Sequence, residues 1–193
     1  MTDLASLAGP SAFLAALATV VGAVTLVIFF ARGGWWGLAN DVASIVLMLA
    51  TIPVALAVAE QSSSWFVWAN GAAALGVIGM VGASIAQGLL VARRFTYQQL
   101  LPSTLGFGAV VGVWYLLIGF GGVRSPFLDD GLISVDTLAI AAGVGFIALG
   151  YGFLRGNERD PLSVLGGIVV FVASIWFLTW IGLLFTSGEM SRA

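Results

Sequence analysis

Lysine, histidine and cysteine are all missing from these 193 residues, and charge of either sign is scarce. Each absence removes a branch of chemistry. Without cysteine there is no disulfide framework, no thiol nucleophile and no iron–sulfur ligation. Without histidine the usual ligands of zinc and haem are gone. Without lysine a retinal-type Schiff base has no anchor. Charged residues make up 8% of the chain, against roughly 25% in a soluble domain. Hydrophobic residues make up 60%, with a mean hydropathy of +1.09. A chain this poor in charge cannot present a soluble surface, so the composition reads as a multi-pass membrane protein. The net charge of −2 leaves no basic patch for nucleic acid.

What is present is long apolar sequence. Six runs, at about 12–31, 40–60, 65–92, 102–121, 134–154 and 162–186, each reach the ~20 residues that span a hydrocarbon core. The expected fold class is an all-α six-transmembrane-helix bundle, a single integral membrane domain over residues 1–193. The third and sixth runs exceed one span, so tilt or extension past the interface is expected. Asp3 is the only charge before the first run. A secretory signal begins with positive charge, so the first run is read as a retained helix. Asn40-Asp41 can cap the second helix, Ser134 with Asp136 the fifth, and Asp160 followed by Pro161 the sixth. Pro53 falls inside the second helix, where it frees the carbonyl of Leu49 and favours a kink.

Arginine sets the expected orientation. Arg32, Arg93, Arg94, Arg155 and Arg159 fall in the first, third and fifth loops. The other side holds Arg124 and Arg192 together with Asp3, Glu60, Asp129, Asp130 and Glu189. The positive-inside rule then puts the odd-numbered loops in the cytoplasm and both termini outside. Trp35, Trp36, Trp65 and Trp68 flank spans as an interfacial belt would. Arg32, Arg93 and Arg155 also close odd-numbered runs at intervals of 61 and 62 residues. That spacing suggests three related helical hairpins in tandem, although unrelated membrane hairpins with short loops repeat at about the same length.

The candidate sites are few. Gly76, Gly79 and Gly82 in the third run, Gly108 and Gly112 in the fourth, and Ala141, Gly145, Ala148 and Gly152 in the fifth are small-residue rows. Such rows pack helices within one chain or serve a homo-oligomer or another membrane subunit. Gln87 is an amide two turns inside the third run and needs a hydrogen-bond partner, either a neighbouring helix or a polar ligand head. Asn70 and Glu60 sit at the outer ends of their runs. Trp114, Trp176 and Trp180 lie within spans, where they either pack against neighbours or line an apolar pocket. Arg93 and Arg94 suit lipid headgroups or simple anchoring. Asp129-Asp130 lacks the spaced oxygen ligands of a calcium loop, so no metal is expected.

Four segments together resemble a loosely defined family of bacterial six-helix membrane proteins of unknown function. They are Gly79-Met80 through Gln87, the turn Phe95-Thr96-Tyr97-Gln98-Gln99, the stretch Trp114-Tyr115-Leu116-Leu117-Ile118-Gly119, and the restart Asp160-Pro161-Leu162. The resemblance implies a six-helix bundle in a bacterial plasma membrane and carries no activity, substrate or site residue.

The functional expectation is a non-enzymatic protein, either an accessory or structural subunit or a binder of a lipid-like apolar ligand, with membrane lipids as partners and no cofactor. The alternative is a facilitator for a small neutral or apolar solute. Ion coupling is disfavoured because ionisable groups mark ion and proton paths in membranes, and the span centres have none. No catalytic residue is assigned: Ser44, Ser84 and Ser174 have no evident general base.

Overall fold

The structure is a computed structural model that describes residues 4–63, 66–121, 134–155 and 160–187. It is all-helical: α1 (Leu4–Arg32), α2 (Trp36–Ser62), α3 (Ala69–Val91), α4 (Tyr97–Gly121), α5 (Val135–Arg155) and α6 (Pro161–Ser187). All six are long and apolar enough to cross a membrane. The expected six-helix bundle is what the chain forms.

Each helix packs antiparallel against its neighbours in sequence, and α1 closes against α6. The result is a ring of six helices. The closure is tight, because a Cβ added to Gly9 of α1 would lie 2.7 Å from Thr186 Cγ2 of α6. Helix α1 shows why the ring forms. Its buried residues are Ala8, Gly9, Ala12, Ala15, Ala16, Ala18, Thr19, Gly22 and Thr25, with no large side chain among them. Its leucines and valines, such as Leu14, Leu17, Val24 and Val27, point outward. Lipid tails are as apolar as leucine, so burying leucine gains little there. Close backbone approach gains dispersion contacts instead, and small residues permit it.

The centre of the ring is filled by large side chains from α3, α4 and α6. Trp114, Phe177 and Met80 are fully buried, with Tyr115, Ile118, Leu178 and Ile181 around them. Trp114 and Tyr115 each meet Phe177 edge-on, at ring-centroid distances of 6.4 and 5.3 Å. Helix α3 supplies a flat face for aromatic side chains of α4. A Cβ at Gly76 would lie 2.6 Å from the Trp114 ring, and one at Gly82 would lie 2.2 Å from Phe107. Several buried hydroxyls are satisfied within their own helices. Thr19, Thr51 and Ser84 donate to the carbonyls of Ala15, Leu47 and Met80 at 2.7–2.8 Å, which spares them an unpaired polar group in an apolar medium.

Several boundaries differ from the sequence reading. Helix α1 begins at Leu4, upstream of residue 12, and carries Pro10 inside it. Asn40 and Asp41 do not cap α2; they lie within it, because the helix begins at Trp36. The reason is local: Gly33 and Gly34 take φ of +65° and +74°, which reverses the chain in two residues and lets the stacked Trp35–Trp36 pair open the helix at once. Helix α3 begins at Ala69 rather than at residue 65. Helix α4 begins at Tyr97 rather than at residue 102, since Gln99 reaches back to the turn: its Oε1 accepts from the Thr96 amide at 2.9 Å and from the Thr96 hydroxyl at 3.1 Å, one half of a capping box. The other two caps are as expected. Ser134 Oγ accepts from the Thr137 amide, and Asp160 Oδ1 accepts from the Leu162 amide. Arg155 also pairs with Asp160 at 3.3 Å.

Candidate functional site

Arg32, Arg93, Arg94 and Arg155 all stand at the ends of odd-numbered helices or just past them, so they gather at one end of the ring. Glu60, Asn70 and the start of α1 lie at the other end. This second end carries an open cleft. It has a volume of about 460 Å³ and is lined by Leu4, Leu56, Ala59, Glu60, Ser63, Asn70, Ala73 and Ala74. That volume falls within the range of small-molecule sites.

The cleft lies beside one seam, between α2 and α3, with Leu4 of α1 at its edge. Near the C-terminal end of each even-numbered helix, a branched apolar residue is followed by a small one: Val58-Ala59, Ile118-Gly119 and Ile181-Gly182. Each pair faces the opening turns of the next odd-numbered helix. A Cβ at Gly119 would lie 2.6 Å from Ile140 Cγ1 and 2.8 Å from the Asp136 carbonyl oxygen, and one at Gly182 would lie 2.9 Å from the Phe13 ring. Those two seams, α4/α5 and α6/α1, are zipped shut. In the third, α2/α3, Ala59 packs on Ala69 and Ala73. Ala59, Ala69 and Ala73 are all buried, so this seam is closed as well, and the cleft opens beside it over Glu60, Ser63, Asn70 and Ala74.

Polarity is confined to the mouth. Leu56, Ala59, Ala73 and Ala74 form apolar walls, while Glu60, Ser63 and Asn70 are exposed at the rim. Ser63 Oγ donates to the Glu60 carbonyl at 2.8 Å, so its proton is already used. Helix α3 starts here without a side-chain cap at Trp68, and its Ala69 amide donates instead to the Phe66 carbonyl at 2.9 Å.

The sequence-predicted residues do not form one site. Asn70 lines the cleft. Gln87 sits on the same helix about 25 Å away at 1.5 Å per residue, at the arginine end. The expected interhelical bond from Gln87 is not made through its carbonyl: Oε1 is buried with no partner, as is Thr104 Oγ1. The pairing of Gly76 with Trp114 and Gly82 with Phe107 puts Gln87 level with the Ser103–Thr104 pair of α4. Trp114 is fully buried, so it is a core residue rather than the wall of an open pocket, and its Nε1 has no partner. Ser174 Oγ also lacks a well-formed hydrogen bond, although the Tyr115 hydroxyl approaches it. Trp176 and Trp180 point outward toward lipid, with exposures of 55% and 36%.

Arg93 and Arg94 are exposed in the turn after α3. Arg93 takes a φ of +53°, the position where glycine normally ends a helix. The Arg94 amide donates to the Leu89 carbonyl and the Arg93 amide to that of Leu90, which completes a Schellman motif. The left-handed conformation costs a residue with Cβ roughly 1–2 kcal/mol, so charge at this spot is kept against the preference of the backbone.

The glycine rows are spent inside the chain. Gly79 faces Val110 and Val111, Gly112 faces Phe146, Gly145 faces Val170 and Gly152 faces Ser163. Trp65, Asp3, Arg124, Asp129, Asp130, Arg159, Glu189 and Arg192 lie outside the described residues. The missed signals were the seam residues Ala59, Ala73 and Ala74. An alanine among alanines carries no chemical mark, and only its departure from Gly119 and Gly182 gives it meaning.

Comparison with protein-family models, with curated proteins and with solved structures finds no match. The fold and the cleft therefore carry the functional reading alone.

Proposed function

We propose that this is a non-enzymatic membrane protein that holds a lipid-like apolar ligand in the α2/α3 cleft. By the positive-inside rule the arginine end faces the cytoplasm, which sets the cleft and both termini on the outer side of a bacterial plasma membrane. Arg93 and Arg94 then rest among lipid headgroups. The observation that carries the reading is the cleft: apolar walls, polar groups only at the rim, and a volume of about 460 Å³. What supports binding over facilitated passage is the ring centre, where Trp114, Phe177 and Met80 block the axis between the two ends. A second copy or another subunit would have to dock on the outward leucines and valines, because the glycine rows are covered from within.

The test is mass spectrometry of the full chain extracted gently from its native membrane. The expected result is a co-purifying apolar molecule that disappears in Ala74→Trp, a change that fills the cleft from its exposed wall. Retention of the same molecule by Ala74→Trp would place the ligand elsewhere.

A further inference from the structure

The arginine end of the ring is polar on its inside. Asp41 of α2, Gln87 of α3 and Thr104 of α4 each stand seven residues toward that end from an inward-facing residue, which is almost two whole turns. For Asp41 that residue is Met48, which packs on the core; for Gln87 it is Met80 and for Thr104 it is Val111, both buried. The three side chains therefore enter one layer of the interior. Helix registers agree. Ala59 packs on Ala69, and five turns of 3.6 residues along each helix from that contact lead to Asp41 and Gln87. Gly79 meets Val111 and Gly82 meets Phe107, an offset that brings Gln87 level with Thr104. Gln87 Oε1 and Thr104 Oγ1 are buried without a hydrogen-bond partner. Thr104 departs from its kind, since Thr19, Thr25, Thr51, Thr179 and Thr186 all donate to the carbonyl four residues back. Asp41 is partly buried and has no ion pair or hydrogen bond among the described residues. It lies in the second turn of α2, past the amides that a carboxylate can cap. Arg32, Arg93 and Arg94 at this end are exposed to solvent or headgroups, and the chain has no lysine. An ionisable group inside a helix bundle calls for a partner, and here the described residues supply none.

We propose that Asp41, Gln87 and Thr104 form a site for one small monovalent cation inside the arginine end of the ring. An ionised carboxylate and an amide oxygen only accept hydrogen bonds, and a hydroxyl oxygen has lone pairs to spare. Such a set suits a ligand that is positive on every side. An anion would meet the carboxylate. One carboxylate balances one positive charge, whereas calcium takes 6–8 oxygen ligands. A water would serve the two neutral oxygens and leave the carboxylate charge uncompensated. This site stands apart from the outer cleft and does not depend on what the cleft holds.

The test is thermal unfolding of the full chain in micelles, at mildly alkaline pH and constant ionic strength. Sodium, potassium or methylammonium is titrated in place of bulky N-methylglucamine. At least one of the three is expected to raise the melting temperature saturably, as a ligand of the folded state does. A rise with sodium or potassium identifies an alkali ion, and a rise with methylammonium alone a protonated amine. Asp41→Asn should abolish the rise, and Thr104→Val should weaken the apparent affinity about tenfold. Ala74→Trp, at the far end, should leave it unchanged. Equal melting in all four salts would overturn the proposal, as would a rise that survives Asp41→Asn. If Asp41→Asn does not fold, Thr104→Val decides, and an unchanged affinity there overturns the site. Stabilisation by acid alone, with no response to any of the ions, would assign a protonated Asp41 to this layer and overturn the cation.

Discussion

Two kinds of seam join the hairpins of this ring. At α4/α5 and α6/α1 a glycine lets the backbones touch, and a single added carbon would lie under 3 Å from its neighbour. At α2/α3 an alanine stands in the corresponding place and meets other alanines. Both kinds of joint are closed, and the cleft lies beside the one whose helices meet through methyl groups. In lipid, where apolar burial gains little, such steric differences tune how closely helices approach.

That contrast can be broken in order of severity. Trp114→Ala empties the centre that all the seams surround and is expected to cost about 3–5 kcal/mol, read by unfolding in mixed micelles. Gly119→Ala forces a sealed seam open; its Cβ has a backbone oxygen 2.8 Å away, and overpacking of this kind costs about 1–3 kcal/mol. The reverse change, Ala59→Gly, costs about 1 kcal/mol in helix propensity and lets α2 and α3 approach further, so less of the co-purifying apolar molecule should be retained. Ala74→Trp removes that molecule while stability moves by less than about 0.5 kcal/mol, because the residue is exposed. Arg93→Gly is the mildest. Relief of the left-handed strain outweighs lost dipole and chain-entropy terms, for a net gain of about 0.5 kcal/mol, while lipid contact at that end weakens.

Much of the fold was legible because hydropathy and caps are local. The six spans, the Asp160-Pro161 start of α6 and the Ser134 cap of α5 follow from nearby residues alone. The start of α4 was legible too, in the spacing of Thr96 and Gln99, and was passed over for the apolar run at Leu101-Pro102. The start of α2 was hidden by Gly33-Gly34, whose turn admits a helix earlier than any polar cap. The site was harder. Glu60 and Asn70 stood out as polar residues at helix ends, yet nothing in either run says that they share a cleft. Trp114 and Trp176 look alike in sequence; one is fully buried and the other faces lipid, because helix rotation about the ring decides between them. Gln87 stood out as an amide inside a run, but the sequence names no partner for it, since an amide's partner is a property of the neighbouring helix; its Oε1 is buried without one.

Closure of α1 on α6 also sets a schedule. About 155 residues separate the end of α1 from the end of α6. At ribosomal speeds of about 5–20 residues per second, that gap lasts roughly 8–30 seconds. Throughout it, the Gly9 face of α1 has only lipid for company. A chain whose first helix waits this long for its last partner is open to interception by another nascent copy. The small residues that seal the finished ring are the same ones that leave it vulnerable while it is being made.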